Sequence, residues 1–287
     1  MRVVSIAILL AFSSLPRSQA PLRPDPPNSC PDCDQWNRYR DPKRVFGNTY
    51  AVGVAGISVV LIASDQGLIL LDGGLPQTAP IIDQNLRKLG FRTADIKLIL
   101  NSHAHYDHSG GIAALQRASG ATVVASAEGA RALEDGEPTA SDPQFGLGRH
   151  VNHFPPVKNV KAVKDGEVVR LGSLSVTAHL TPGHTPGSTT WSWQSCEGPK
   201  CQQIVYADSL NAVAAPEFRF TGGKGRPNIV PEFRRSIERV AALPCDILIT
   251  VHPSFAEGKT CRTYAADAVK RLDQRVAEEG GAPRRYR

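Results

Sequence analysis

The chain has 287 residues, 41% hydrophobic and 21% charged. This composition excludes a disordered chain or a fibre, and the length suffices for one large core or two small ones. The net charge of +6 falls to +4 once Arg2 and Arg17 leave with the first twenty residues. That surplus would favour anionic small molecules but makes no nucleic-acid footprint.

The first twenty residues place Arg2 before an apolar run from Val3 to Phe12, and a polar stretch then ends at Ala20. The run is short for a bilayer, so residues 1–20 read as a secretory signal cleaved after Ala20. A periplasmic protein is expected, with no stable membrane association. Residues 21–48 are rich in Pro, Asn and Asp and read as an arm. A single domain is expected over 49–287. It starts with three short β-branched runs, "TYAVGVAG", "ISVVLIAS" and "GLILLD", which predict a meander. "APIIDQNLRKLG" has helical spacing and a glycine stop. A buried strand, "DIKLILNS", leads to a histidine cluster. The helix "GGIAALQRASG", the strand "ATVVAS" and the helix "AEGARALEDG" follow.

Residues 135–157 lack periodicity and read as a long, functional loop. "KAVKDGEVVRLGSLSVTAHL" predicts two or three strands, and "TTWSWQ" and "QQIVYADS" one each. "VPEFRRSIERVAALP" is a helix, "CDILITV" a buried strand, and roughly Arg262–Glu279 a closing helix. No linker divides the two halves. The economical α/β architecture has four layers, two mixed sheets face to face with helices outside.

Six cysteines suit an exported chain. Cys196 and Cys201 are spaced to close a turn, and Cys245 and Cys261 to tie a strand end to the last helix. Cys30 and Cys33 form a CxxC in the arm with no strand before it, which favours a local structural disulfide over redox work. Sequence alone leaves the connectivity open.

The chemistry concentrates in "NSHAHYDHSGG", where His103, His105, Asp107 and His108 fall within six residues. Imidazole and carboxylate donors suit Zn²⁺. A tight loop after a strand lets His103, His105 and Asp107 point one way, with His108 free to turn elsewhere. His184 in "TPGHTPGS" and His252 in "TVHPS" stand at turn-like strand ends. Six donors divide into three and three, leaving open positions for water as a catalytic zinc site requires. His150, His153 and His179 read as ordinary surface or core histidines.

"SHAHYDHSGG" resembles the HxHxDH signature of the metallo-β-lactamase superfamily. "LTPGHTPGSTTWSW", "VYADSL" and "CDILITVHP" resemble more narrowly the class B, subclass 3 metallo-β-lactamases. The resemblance covers nearly all of the chain after about residue 36. It implies an αββα sandwich with metals at one edge. His103, His105 and His184 would hold the first of two zinc ions, and Asp107, His108 and His252 the second. The implied activity is β-lactam hydrolysis by a hydroxide held between them, giving antibiotic resistance, in a monomer acting on small molecules. Ser209 resembles the residue that hydrogen-bonds the substrate carboxylate. Asn211 stands where relatives often have Ser or Thr, and Trp36, Gln144 and Phe145 fall in segments that frame the cleft.

The main rival is a thioesterase or lactonase of the glyoxalase II kind, which adds an aspartate bridging the metals. Asp208 is the candidate, and its direction discriminates: between the metals for the rival, away from them with Ser209 facing the cleft for the lactamase. A structural zinc protein without turnover is the other alternative, but structural sites are closed by four ligands, usually including cysteines.

Overall fold

The computed structural model describes residues 22–223 and 225–280; the expected export signal lies outside them. A seven-stranded sheet comprises β1 (Lys43–Phe46), β2 (Thr49–Ala51), β3 (Val60–Ser64), β4 (Gly67–Leu71), β5 (Ile96–Leu100), β6 (Thr122–Ser126) and β7 (Lys161–Val163), in that order. β1 to β4 run antiparallel, and β4 to β7 are parallel. The parallel steps need crossovers. These carry α2 (Ala79–Lys88), α4 (Ile112–Ser119) and α5 (Ala127–Asp135).

The second sheet has the order β12-β11-β10-β9-β8. Its strands are β8 (Val168–Leu171), β9 (Leu174–Leu180), β10 (Thr189–Glu197), β11 (Lys200–Ala207) and β12 (Ile247–Thr250). α7 (Val230–Ala242) crosses from β11 to its parallel neighbour β12, and α8 (Cys261–Gly280) follows. The short helices α1 (Cys33–Trp36), α3 (Tyr106–Ser109) and α6 (Arg149–Asn152) lie in the connections.

Period-2 alternation explains the layering. Leu61, Leu68 and Leu70 point to a core shared with Ile82 and Leu86 of α2 and Leu115 of α4. Val60, Ile62, Ile69 and Leu71 point the other way, against Val176, Trp191, Trp193 and Tyr206 of the second sheet. On that sheet's far side Val205 and Ala207 meet Phe233, Ile237 and Val240 of α7 and Tyr264, Ala268 and Leu272 of α8. The molecule is therefore the expected αββα sandwich. Polar ties cross the central layer: Trp191 Nε1 donates to the Asn101 carbonyl at 3.1 Å and Trp193 Nε1 to Thr49 Oγ1 at 3.0 Å.

Some local readings differ. β1 and α1 arise in the stretch read as an arm, and α6 in the loop read as irregular. "TYAVGVAG" is strand only to Ala51, and the chain then doubles back, with Val54 N donating to Ile57 O at 3.1 Å. Disulfides join Cys30–Cys33, Cys196–Cys201 and Cys245–Cys261. The last ties the entry of β12 to the start of α8. Among the described residues no helix is long and apolar enough to cross a membrane.

Candidate metal centre

One edge of the sandwich collects the ends of β4, β5, β9, β11 and β12, and the six expected donors lie there. After β5 the chain is clamped by Asp72, which follows β4 and is fully buried. Its carboxylate accepts from Ser102 N (2.7 Å), Ser102 Oγ (2.6 Å), Asn101 Nδ2 (3.1 Å) and, from the opposite sheet, Tyr206 Oη (2.7 Å). Burial raises the Asp72 pKa to about 6. Asn101 Nδ2 and Ser109 Oγ both donate to the His103 carbonyl, at 2.9 and 3.1 Å. His105 then caps α3. Asp107 and His108 consequently project together from a helical turn, rather than alternating along a loop as the spacing suggested.

His184 comes from the β9–β10 turn. Ser236 of α7 donates to the Pro182 carbonyl at 2.7 Å, and Gly183, at φ +152°, passes so close to Phe233 that a Cβ would lie 2.1 Å from the ring. Only glycine fits there. The ring centroids of His103, His105 and His184 are 4.7 to 5.0 Å apart, and the three residues can offer donor atoms within 4.8 Å of one another. Beside them Asp107 Oδ2 lies 3.1 Å from His108 Nε2 and 3.3 Å from His252 Nε2. The two triads adjoin through His103, whose ring centroid is 4.4 Å from that of His108.

The groups around these residues fit a metal. A ligating histidine normally commits its other nitrogen to an acceptor, which fixes tautomer and ring orientation. His103 Nδ1 donates to Asp208 Oδ1 (2.6 Å), His184 Nδ1 to Asn211 O (2.8 Å) and His252 Nδ1 to Gly56 O (2.9 Å). Each keeps Nε2 for another partner, and that of His252 already lies 3.3 Å from Asp107 Oδ2. His105 is turned round: Nε2 faces both Asp142 oxygens at 3.2 Å, and Nδ1 is reached by Gln144 Nε2 at 3.4 Å. Both ring nitrogens of buried His108 lack a hydrogen bond. An orphaned buried imidazole beside a carboxylate is costly without an ion.

The charge on each histidine follows its neighbours: burial lowers the pKa values of His105 and His108, but Asp142 and Asp107 respectively outweigh it and raise them. Burial, and then the neighbouring imidazoles, hold His103 well below its ordinary pKa and bring His184 to about 3. Both are neutral at pH 7, the form that ligates. Burial opposes the charge on Asp107, but His108 and His252 outweigh it and keep the carboxyl well below the usual carboxylate range. The protein thus has His/Asp metal sites of the type that binds zinc.

The sites open into a cleft of about 490 Å³ lined by Trp36, Gln144, Ser209 and Asn211 among others. Trp36 packs on Gly56, where a Cβ would meet its ring at 2.6 Å, and its ring centroid is 5.1 Å from that of His252. Asn211 Nδ2 donates to Ser209 Oγ at 3.3 Å. Phe145 is not among the cleft residues. It starts a 3-10 turn and is 41% exposed. His150 and His153 are exposed and His179 bonds Ser192, all away from the cluster. Sequence reading missed Asp142, Asp72, Arg38 and Arg40. The first two carry no motif, and the arginines lay in the stretch read as an arm.

Asp208 is fully buried; its Oδ1 bonds His103 Nδ1, and its Oδ2 is buried without a hydrogen bond. Its carbonyl accepts from Tyr264 Oη at 3.0 Å.

Residues 52–196 match the family model for the metallo-beta-lactamase superfamily. The chain belongs to that superfamily. Among solved structures it is similar to MEM-A1, a subclass B3 metallo-beta-lactamase isolated from a soil metagenome library. They are 49% identical with a TM-score of 0.81, over 85% of this chain and 98% of that one. It is also similar to the Rm3 metallo-beta-lactamase, at 45% identity and a TM-score of 0.84, over 88% and 100% of the two chains. Within the superfamily the protein is thus a subclass B3 member. A more distant curated relative is the hydroxyacylglutathione hydrolase of Anaeromyxobacter dehalogenans (strain 2CP-C), 31% identical over 134 residues. That match is 47% of this chain and 41% of that protein, so the chain spans less than half the relative's length.

Proposed function

We propose that this protein hydrolyses the amide bond of β-lactam rings in penicillins, cephalosporins and carbapenems, using two zinc ions per chain. The first would be held by His103, His105 and His184, the second by Asp107, His108 and His252. Zinc bound there supplies a hydroxide nucleophile at neutral pH and Lewis-acid polarisation of the ring carbonyl. The chain's own residues do the rest. Asp208, Asp142, Asn211 and Gly56 orient the imidazoles. The Asn211 amide donates to Ser209 Oγ, which leaves the Ser209 hydroxyl proton free for the substrate carboxylate. Trp36 and Gln144 wall the cleft.

The observation that carries this reading over a thioesterase or lactonase is the direction of Asp208. Its carboxylate bonds the outward nitrogen of His103, and Ser209 is the residue that reaches the cleft. The proposal includes export through the N-terminal signal, a periplasmic monomer, and a contribution to β-lactam resistance.

The test is hydrolysis of a carbapenem and a cephalosporin by the purified mature chain, before and after EDTA, with zinc restored. Ring opening that EDTA abolishes and zinc restores is expected. A fully zinc-loaded chain that opens neither ring overturns the reading, and hydroxyacylglutathione thioesters become the next substrates.

A further inference from the structure

Two cations in the cleft have no role in the reaction proposed above. Arg38 and Arg40 both line it, and among the described residues neither forms an ion pair; Arg38 Nε reaches only the Gln35 carbonyl, at 3.4 Å. They flank Tyr39 in the link between α1 and β1, and both line the cleft while Tyr39 does not. Tyr39 is drawn elsewhere: its hydroxyl donates to Asp41 at 2.7 Å, and Lys88 of α2 lies 4.9 Å over its ring. The backbone is pinned at alternate residues. The carbonyls of Trp36, Arg38 and Arg40 accept from Gly56 N (3.0 Å), Ala55 N (2.9 Å) and Asn85 Nδ2 (3.2 Å). The two guanidinium groups are thus presented to the cleft by a fixed rim. Of the acids there, Asp107 is committed to His108 and His252, and Glu257 pairs with neither arginine.

We propose that Arg38 and Arg40 form a second anion subsite, which selects β-lactams bearing a carboxylate or sulfonate on the substituent in addition to the ring carboxylate. Guanidinium forks suit such groups in ways a lysine does not. The assignment rests on the β-lactamase reading for its substrate, but its test does not depend on turnover.

The probes are benzylpenicillin and α-carboxybenzylpenicillin, which differ by one carboxylate. In the zinc-loaded protein kcat/KM for α-carboxybenzylpenicillin divided by that for benzylpenicillin should fall about threefold in R38Q or R40Q and about tenfold in R38Q/R40Q, the size expected of exposed charge pairs. R38K/R40K should recover part of the preference. In the wild type, salt raised from about 0.05 to about 1 M should erase it, as the screening length contracts to about 3 Å. A folding or loading defect scales both substrates together and leaves the ratio alone. An unchanged ratio in R38Q/R40Q overturns the subsite while the reaction stands. If the loaded wild type turns over neither penicillin, the reaction reading fails, and binding of the same pair is read by quenching of Trp36 fluorescence. An arginine-dependent preference there supports the subsite, and its absence overturns it.

Discussion

Asp208→Asn isolates the aspartate that separates the two hydrolase readings. Asp208 Oδ1 accepts from His103 Nδ1 at 2.6 Å in a fully buried setting. Asparagine keeps the size and an acceptor oxygen but removes the charge. A hydrogen bond to a charged group contributes about 1.5–3 kcal/mol and a neutral one about 1 kcal/mol. The loss is about 0.5–2 kcal/mol, which at about 1.4 kcal/mol per decade weakens the His103–His105–His184 site roughly 2- to 30-fold. That overlaps the range seen when outer partners of ligating histidines are removed. Burial raises the Asp208 pKa, so its charge is itself unwelcome in the fold. The metal-free variant should therefore melt no lower than the metal-free wild type. Zinc competition against a chromogenic chelator, read in two steps, is the assay. One weakened step with the other intact is expected. Unchanged affinity, or both zinc ions lost together, would refute the placement of Asp208 behind a single ligand.

Gly183→Ala forces a Cβ into the Phe233 ring and should cost about 1–3 kcal/mol, with weaker zinc binding through the displaced His184 turn; thermal melting and zinc titration both report it. Replacing Cys245 and Cys261 by alanine opens a loop of sequence separation 16, a cost of about 3 kcal/mol, and a melting point within about 2 °C of wild type would contradict it. Glu279→Gln should cost about 1–3 kcal/mol, because the carboxylate accepts from Phe220 N, Thr221 N, Thr221 Oγ1 and Arg275 Nε at 2.9 Å each. Burial opposes that charge, yet these donors leave the Glu279 pKa below its ordinary 4.5. A depressed carboxyl stabilises the fold above its unfolded pKa and stops doing so as pH falls through the folded one. The gap in urea midpoint between wild type and E279Q should thus hold above pH 4.5 and close below it; a gap that widens in acid would count against the assignment.

Much of this was legible in the residues. The short apolar runs "ISVVLIAS" and "GLILLD" marked strands of the first sheet, and six donors at strand ends marked the metal edge. Ligand partners were not legible, because Asp142 and Asp72 act through distances that only the folded chain creates. Phe145 was expected at the cleft because its segment frames that region, but adjacency along the chain does not settle direction: Gln144 turns in and Phe145 turns out. The arm was misjudged in part because β1 is a short, half-exposed edge strand paired to β2 across a tight turn, and because the order before it comes from carbonyl contacts to Ala55, Gly56 and Asn85, which leave no periodicity to read.

The link carrying Trp36, Arg38 and Arg40 has a consequence for how such a protein changes over generations. It bears none of the six expected metal donors, and neither arginine side chain is among the contacts that hold it to Ala55, Gly56, Thr78, Asn85 and Lys88. Mutations there can alter what the cleft admits while the inherited metal-holding apparatus stays intact. A change at Arg38 or Arg40 would then redraw the charge at the mouth of the cleft and leave each of the six expected metal donors where it stands.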